Sequence, residues 1–289
     1  MKNNIIKGKL WCLMHDAHML FDRTSKCIDG RKAEKNRVNL EWWNYKDNVG
    51  DVLSPVICEW MLEQRNLSFN SNANKTYHLM ALGSICGEGQ VDAVVWGSGV
   101  HNDALRKNIY RWRKIRKLDI RAVRGPKTAD VLRKAGYACP NVYGDPAILM
   151  PFIYMPPYSC GEKKYKKSVI IHFSGKDNLV ENDDFHYIDV ETKDYKKFID
   201  EIVSSELVIS SSLHGIILAE SYGVPAIFLK SGIEKEILKF EDWYSSTGRS
   251  DFAVAENILE ASKMAPTELP KLDKLQSRLM ESFPYDLWK

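Results

Sequence analysis

The stretch Glu206-Leu207-Val208-Ile209-Ser210-Ser211-Ser212-Leu213-His214-Gly215-Ile216-Ile217-Leu218-Ala219-Glu220-Ser221-Tyr222-Gly223 decides the fold. Residues 207–210 read as a buried strand and 215–222 as a helix, with a serine-rich turn between them. A strand that runs straight into a helix is the unit from which parallel α/β sheets are built. The turn has two readings. The serines can cap the helix around a buried, hydrogen-bonded His214. Alternatively, unpaired N–H groups at the helix start and the hydroxyls of Ser210, Ser211 and Ser212 form an anion cradle, with an imidazole beside it that can carry a proton.

The same alternation extends in both directions. Toward the N-terminus, apolar runs predict strands at 9–15, 38–45, 78–82, 92–96 and 119–123, with a short one at 141–143. Helical spacing predicts helices at 51–65, 104–117 and 126–135, the first capped by Asp51 with Pro55 near its first turn, the last closed by Gly136. Residues 150–167 are rich in proline and lysine and read as a linker. Beyond them come strands at 168–173, 187–190 and 225–229 and a helix at 194–204. This pattern predicts two α/β domains, 1–155 and 165–289, with mostly parallel sheets and a ligand crevice at the carboxyl ends of the strands.

Composition narrows the class. The 289 residues are 44% apolar and 27% charged, with a net charge of +3, which suits a globular protein and gives no support to a nucleic-acid binder. No run approaches the roughly 18 apolar residues of a membrane span, and the N-terminus does not read as a signal peptide. A cytoplasmic location is expected, with room for a peripheral membrane contact. The six cysteines, at 12, 27, 58, 86, 139 and 160, include no C-x-x-C pair, so free thiols and no structural metal are expected.

Several strand ends carry residues suited to chemistry. In Asn48-Val49-Gly50-Asp51, Gly50 permits a tight turn, and Asp51 is either a plain helix cap or a contact or base for a sugar hydroxyl. Gly97-Ser98-Gly99 allows close backbone approach to a ligand but lacks dinucleotide spacing. Arg124-Gly125-Pro126-Lys127 places a planar cation, with a second charge nearby, where a carboxylate or phosphate can be held. Asp145 lies in Gly144-Asp145-Pro146, for which a turn is the simpler account. The basic run 106–117 reads as a solvated helix face, or else as a surface for anionic lipid or a lipid-linked pyrophosphate.

Taken in order, Asn48-Val49-Gly50-Asp51-Val52-Leu53, Trp96-Gly97-Ser98-Gly99-Val100, Ala122-Val123-Arg124-Gly125-Pro126, Tyr143-Gly144-Asp145-Pro146-Ala147, Ser211-Ser212-Leu213-His214-Gly215 and Lys239-Phe240-Glu241-Asp242-Trp243-Tyr244 resemble the polysaccharide pyruvyl transferase family. The resemblance covers about residues 38 to 250. It implies two Rossmann-like domains facing a cleft, similar to glycosyltransferase type B, with phosphoenolpyruvate as donor and a sugar, often lipid-linked, as acceptor. The product would be a cyclic pyruvate ketal of a surface polysaccharide, formed without a cofactor. It casts His214 as acid or phosphate partner, Asp51 as base, and Arg124, Lys127 and the serine turn as the donor site, with Asn48, Gly50, Gly97, Ser98, Gly99 and Asp145 around them. Some relatives carry an arginine where this chain has Ser212. A nucleotide-sugar glycosyltransferase of the same fold and a non-catalytic sugar-binding relative are the alternatives.

Overall fold

The computed structural model describes residues 25–157, 163–178, 182–230 and 236–288. The expected strand at 9–15, Cys12, Cys160 and part of the expected linker lie outside the described residues. Among the described residues the chain forms two wholly parallel sheets. The first has four strands in chain order, β1 (Val38–Glu41), β2 (Tyr77–Met80), β3 (Ala93–Trp96) and β4 (Leu118–Ala122). The second has five: β5 (Ser168–Ile170), β6 (His186–Tyr187), β7 (Val208–Ser210), β8 (Ala226–Leu229) and β9 (Val254–Ala255). Their spatial order is β6-β5-β7-β8-β9. The order reverses between β5 and β7, and such a reversal opens a crevice at the carboxyl ends of the strands.

Helices cross over between strands, as parallel pairing requires. The main ones are α1 (Val49–Glu63), α2 (Asp103–Trp112), α3 (Pro126–Lys134), α4 (Met150–Ile153), α5 (Tyr195–Val203), α6 (Leu213–Ser221), α7 (Ile237–Ser246), α8 (Ile258–Ala261) and α9 (Asp273–Glu281). Most expected elements appear one to five residues shorter than their apolar runs. The segment 141–143 is no strand, because it meets its neighbour only at the single bridge Val123↔Tyr143. Helix α1 begins earlier than expected. Asn48, not Asp51, is its N-cap, and the Asn48 side chain accepts the Gly50 N–H at 2.9 Å. Pro55 therefore falls in the second turn, where its missing N–H removes the bond that the Asp51 carbonyl would otherwise accept.

The two sheets are tied together by burial and by polar contacts. One apolar cluster runs continuously from Leu53 and Ile57 of α1 through Ile216 and Ile217 of α6 to Phe240 and Trp243 of α7. The Val49 N–H donates to the Val190 carbonyl at 3.0 Å, docking the start of α1 beside the second sheet. The end of the described chain returns to the first sheet. Trp96 Nε1 donates to the Leu279 carbonyl at 2.9 Å and its ring meets Phe283 edge-on, while Gln276 reaches the Ile148 carbonyl and Tyr285 the Met61 carbonyl.

The strongest polar tie is Arg124 with Asp242. Both side chains are wholly buried. Arg124 donates through Nε to Asp242 Oδ2 at 3.2 Å, through Nη1 to Ser84 Oγ and through Nη2 to the Val100 carbonyl, both at 2.6 Å. Asp242 also accepts from the Thr128 N–H at 3.0 Å and the Thr128 hydroxyl at 2.6 Å. Removing one partner strands a buried charge. Arg124→Ala and Asp242→Ala are each expected to lower the unfolding free energy by about 3–5 kcal/mol. Lys127→Ala, at an exposed ion pair, should stay within about 0.5 kcal/mol. Urea titration of the three variants checks this, and equal stability across them would show that the pair is not a structural tie.

Candidate active site

A cavity of about 270 Å³ lies where the carboxyl ends of both sheets converge. Each of its walls follows a strand. Trp43, Asn48 and Asp51 come after β1, Gly83, Ser84 and Ile85 after β2, and His101 after β3. His172 and Phe173 come after β5, and Ser212, Leu213 and His214 after β7. Glu236 and Lys239 at the start of α7 close the remaining side, with Glu88 at the edge.

His214 is fixed by an absence. A Cβ on Gly50 would overlap its imidazole, so only glycine there leaves room for the ring. Gly50 is thus the seat of the histidine rather than the tight turn expected from sequence. Among the described residues, Nε2 of His214 makes no hydrogen bond; it faces the buried Oδ2 of Asp145 at 3.8 Å. The other Asp145 oxygen accepts the Ala147 N–H at 3.0 Å. Burial, reinforced by Lys239, pushes the His214 pKa down to about 3. Burial pushes Asp145 up to about 6.

Asp51 occupies the first turn of α1 and faces the cavity. Burial raises its pKa to about 7, partly countered by Lys239 and reinforced by Asp145. Lys239 is buried, and its ammonium is paired with Glu236. Burial lowers its pKa, and Glu236 opposes the shift. Burial also pushes His172 down to about 4 and lowers His101, with Lys239 adding to both. The resting cavity therefore holds one buried ammonium, three imidazoles whose pKa values are lowered, and a carboxyl group that titrates near neutrality.

The structure separates the residues expected from sequence into those at the cavity and those beneath it. Asn48, Asp51, Ser212 and His214 line it. Arg124 does not. Its guanidinium points into the protein, and its donors end on Asp242, Ser84 and Val100, so it reaches the cavity only by holding Ser84. Lys127 is half-exposed beside Glu241 at 3.7 Å and away from the cavity wall. The hydroxyls of Ser210 and Ser211 are spent internally. Ser210 Oγ bridges the Ser212 backbone, and Ser211 Oγ accepts the His172 N–H at 2.8 Å. Gly97, at φ +88°, packs on Pro146, and Gly99 on the Arg124 guanidinium. Ser98 Oγ donates to the Gly83 carbonyl at 2.8 Å and so pins the loop that carries Ser84. These three positions support the site from below.

Sequence reasoning missed His101, His172, Glu236 and Lys239 as site residues. The two histidines carried a usable signal, since each follows a strand. Lys239 opens one of the family-like motifs, which marks its segment, but its reach into the cavity depends on how α7 packs.

Comparison with known proteins decides the family. Residues 67–232, more than half of the chain, match polysaccharide pyruvyl transferase. The chain belongs to that family. An uncharacterized protein of Acanthamoeba polyphaga mimivirus is 26% identical over 228 residues, covering 75% of this chain and 77% of that protein. The succinoglycan biosynthesis protein ExoV of Rhizobium meliloti is 31% identical over 135 residues, covering 45% of this chain and 41% of ExoV. A functionally uncharacterized Klebsiella pneumoniae protein of known structure superposes with a TM-score of 0.49 at 15% identity, covering 81% of this chain and 92% of that one. Family membership assigns the chain to pyruvyl transfer in polysaccharide biosynthesis.

The burial of His214 has a measurable consequence. An unfolded histidine takes a proton below about pH 6.5, but the folded site resists it down to about pH 3. The unfolded state then binds more protons, and stability falls as pH drops through that window. Between pH 7 and pH 5 the wild type should lose about 2 kcal/mol relative to His214→Gln, which has nothing to protonate. Denaturant unfolding of both proteins at the two pH values checks this. A pH-independent difference would place the ring in water.

Proposed function

We propose that this protein transfers the pyruvyl group of phosphoenolpyruvate to two hydroxyls of a sugar in a surface-polysaccharide repeat unit, giving a cyclic ketal and inorganic phosphate. The observation that carries the reading is the buried Lys239 ammonium among His101, His172 and His214 in a cavity between parallel sheets. A small polyanion bearing a carboxylate and a phosphate needs such a place. It would displace Glu236 from Lys239, and its charge would draw protons onto His101 and His172, leaving His214 neutral. The start of α6, at Ser212 and Leu213, adds backbone N–H groups with no intrahelical partner. In this reading Lys239 supplies the positive charge that an arginine at the Ser212 position gives some relatives. We place the two sheets in Rossmann-like units of the glycosyltransferase B arrangement, donor on the second and acceptor on the first.

Protonation states set the roles. Asp51, with a pKa near 7, holds a proton at working pH and delivers it to the methylene carbon of the donor. The adjoining carbon becomes cation-like. A sugar hydroxyl attacks it and passes its proton to the neutral His214, which Asp145 then steadies as an imidazolium. The C–O bond to phosphate breaks, phosphate leaves, and the second hydroxyl closes the ring with loss of its own proton. One proton enters and two leave, and the donor phosphate takes up the balance. This exchanges the acid and base roles expected from sequence, because burial favours the neutral form of both groups.

A lipid-linked acceptor would need a membrane-facing surface. Arg106, Lys107, Arg111, Lys114 and Lys117 are exposed around α2 with Tyr110 among them, and we assign peripheral contact with anionic lipid to that face. The same run is not uniformly basic outside, since Arg116 is buried and donates to the Val91 and Cys86 carbonyls. No helix among the described residues is long and apolar enough to cross a membrane.

The test is to supply phosphoenolpyruvate and a lipid-linked repeat unit, then follow phosphate release and the ketal by mass spectrometry. Acceptor-dependent phosphate with a ketal product is expected. Consumption of a nucleotide sugar in its place would sink the proposal. Lys239→Met should raise the KM for the donor by roughly ten- to a hundredfold, the loss of a charged hydrogen bond. Asp51→Asn should cut kcat by roughly 10²–10⁴. In the wild type, kcat/KM should fall as pH rises past 7, where Asp51 loses its proton. A flat profile there would take the acid role away from it.

A further inference from the structure

We propose that Cys27, Glu41 and His78 form a binding site for a zinc-class divalent cation, separate from the cavity described above. The three residues come from different parts of the fold. Cys27 lies in the turn before the first sheet, Glu41 ends β1, and His78 lies in the neighbouring β2. Their ligand-type atoms all lie within 4.8 Å of one another, and all three residues are buried, at 1%, 0% and 2% exposure. Spacings of 14 and 37 residues match no ligand motif, so the expectation of no structural metal, drawn from cysteine spacing, had no means of detecting the group.

The chemistry of the set favours a borderline cation. One sulfur, one imidazole and one carboxylate are the donor types of zinc sites. A thiolate and a carboxylate balance a divalent charge, and the imidazole stays neutral, so the loaded site buries no net charge. The outer contacts also fit. The free carboxylate oxygen of Glu41 accepts the Ile28 N–H at 2.8 Å, the kind of support that orients a metal-bound carboxylate. Without an ion, Glu41 Oε1 and His78 Nδ1 share a hydrogen at 2.5 Å. Tetrahedral ligands around zinc stand roughly 3.4 Å apart, given bonds of about 2.0–2.3 Å. An entering ion therefore replaces the shared proton, spreads that pair and draws in the Cys27 sulfur. Binding releases the thiol proton, the hydrogen on His78 Nδ1 moves to Nε2 so that the imidazole stays neutral, and no electron moves. Three protein ligands leave a fourth position for water or another donor.

The site has a structural rather than chemical use. Glu41 is followed by the segment that carries Trp43 and Asn48 into the cavity. A cation clamping the carboxyl end of β1 to β2 and to the preceding turn would fix where that segment departs.

The experiment uses the full chain without a histidine tag, purified without added metal. Elemental analysis should find about one zinc per chain. After chelation, cobalt(II) added to the wild type should give a thiolate-to-cobalt charge-transfer band, and zinc should abolish it. His78→Ala and Cys27→Ser should drop the metal content at least tenfold, whereas Cys139→Ser should keep it. A folded wild-type chain that takes up neither ion overturns the proposal. So does zinc uptake without the charge-transfer band, since the ion would then lie elsewhere. The wild-type spectrum decides the matter even where a variant fails to fold. None of these readouts uses pyruvyl transfer, so they stand apart from the function proposed above.

Discussion

The buried pair Arg124–Asp242 sets the relation between the two sheets at the site. Arg124 stands at the end of β4 and Asp242 within α7; Arg124 also holds Ser84 and the Val100 carbonyl, and Asp242 is gripped a second time across the boundary by Thr128 of α3. Lys239 sits three residues before Asp242 on the same helix, so the bonds that lock Asp242 also decide how far the ammonium reaches into the cavity. Sacrificing an arginine to a structural pair looks wasteful beside the proposed anion site. It is consistent with the physics of burial, because each nitrogen of this guanidinium has a partner in place of water, while the lysine it helps to place is, in the function proposed, the group that exchanges Glu236 for a ligand.

Electrostatics in the cavity follow from the same exclusion of water. His214, His172 and His101 are shifted down, and Asp51 and Asp145 up, with burial as the leading cause in every case. Such a site is quiet until charge arrives. Its groups are then close enough for one ligand to change several protonation states together.

The alternation of strand and helix was legible in the sequence because apolar periodicity and strand-end turns are local signals. Thus the turn at Ser210–His214 was placed at the correct strand end, and His214 beside a cavity. Helix starts were less legible: Asn48 and Asp51 are both good caps, and only packing against Val190 selects the first. Arg124 could not be sorted from sequence, since a strand-end arginine looks the same whether it meets a ligand or an aspartate 118 residues away. Lys239, and the gathering of Cys27, Glu41 and His78, depend wholly on contacts between distant segments. Gly50 shows a subtler limit. Its glycine was visible, but its reason is the ring of His214, and nothing local announces that.

The return of residues 273–288 to the first sheet gives synthesis an order. Trp96 is fully buried, under Phe283 and against the Leu279 carbonyl. While the ribosome is still making the second sheet, that indole has no cover, and neither the Ile148 nor the Met61 carbonyl has its side-chain donor. The first sheet can assemble its strands as they emerge, but its outer layer waits on about 150 further residues. A nascent chain halted before Leu279 would present a large apolar face to chaperones, and α9 acts as a late latch on the first sheet.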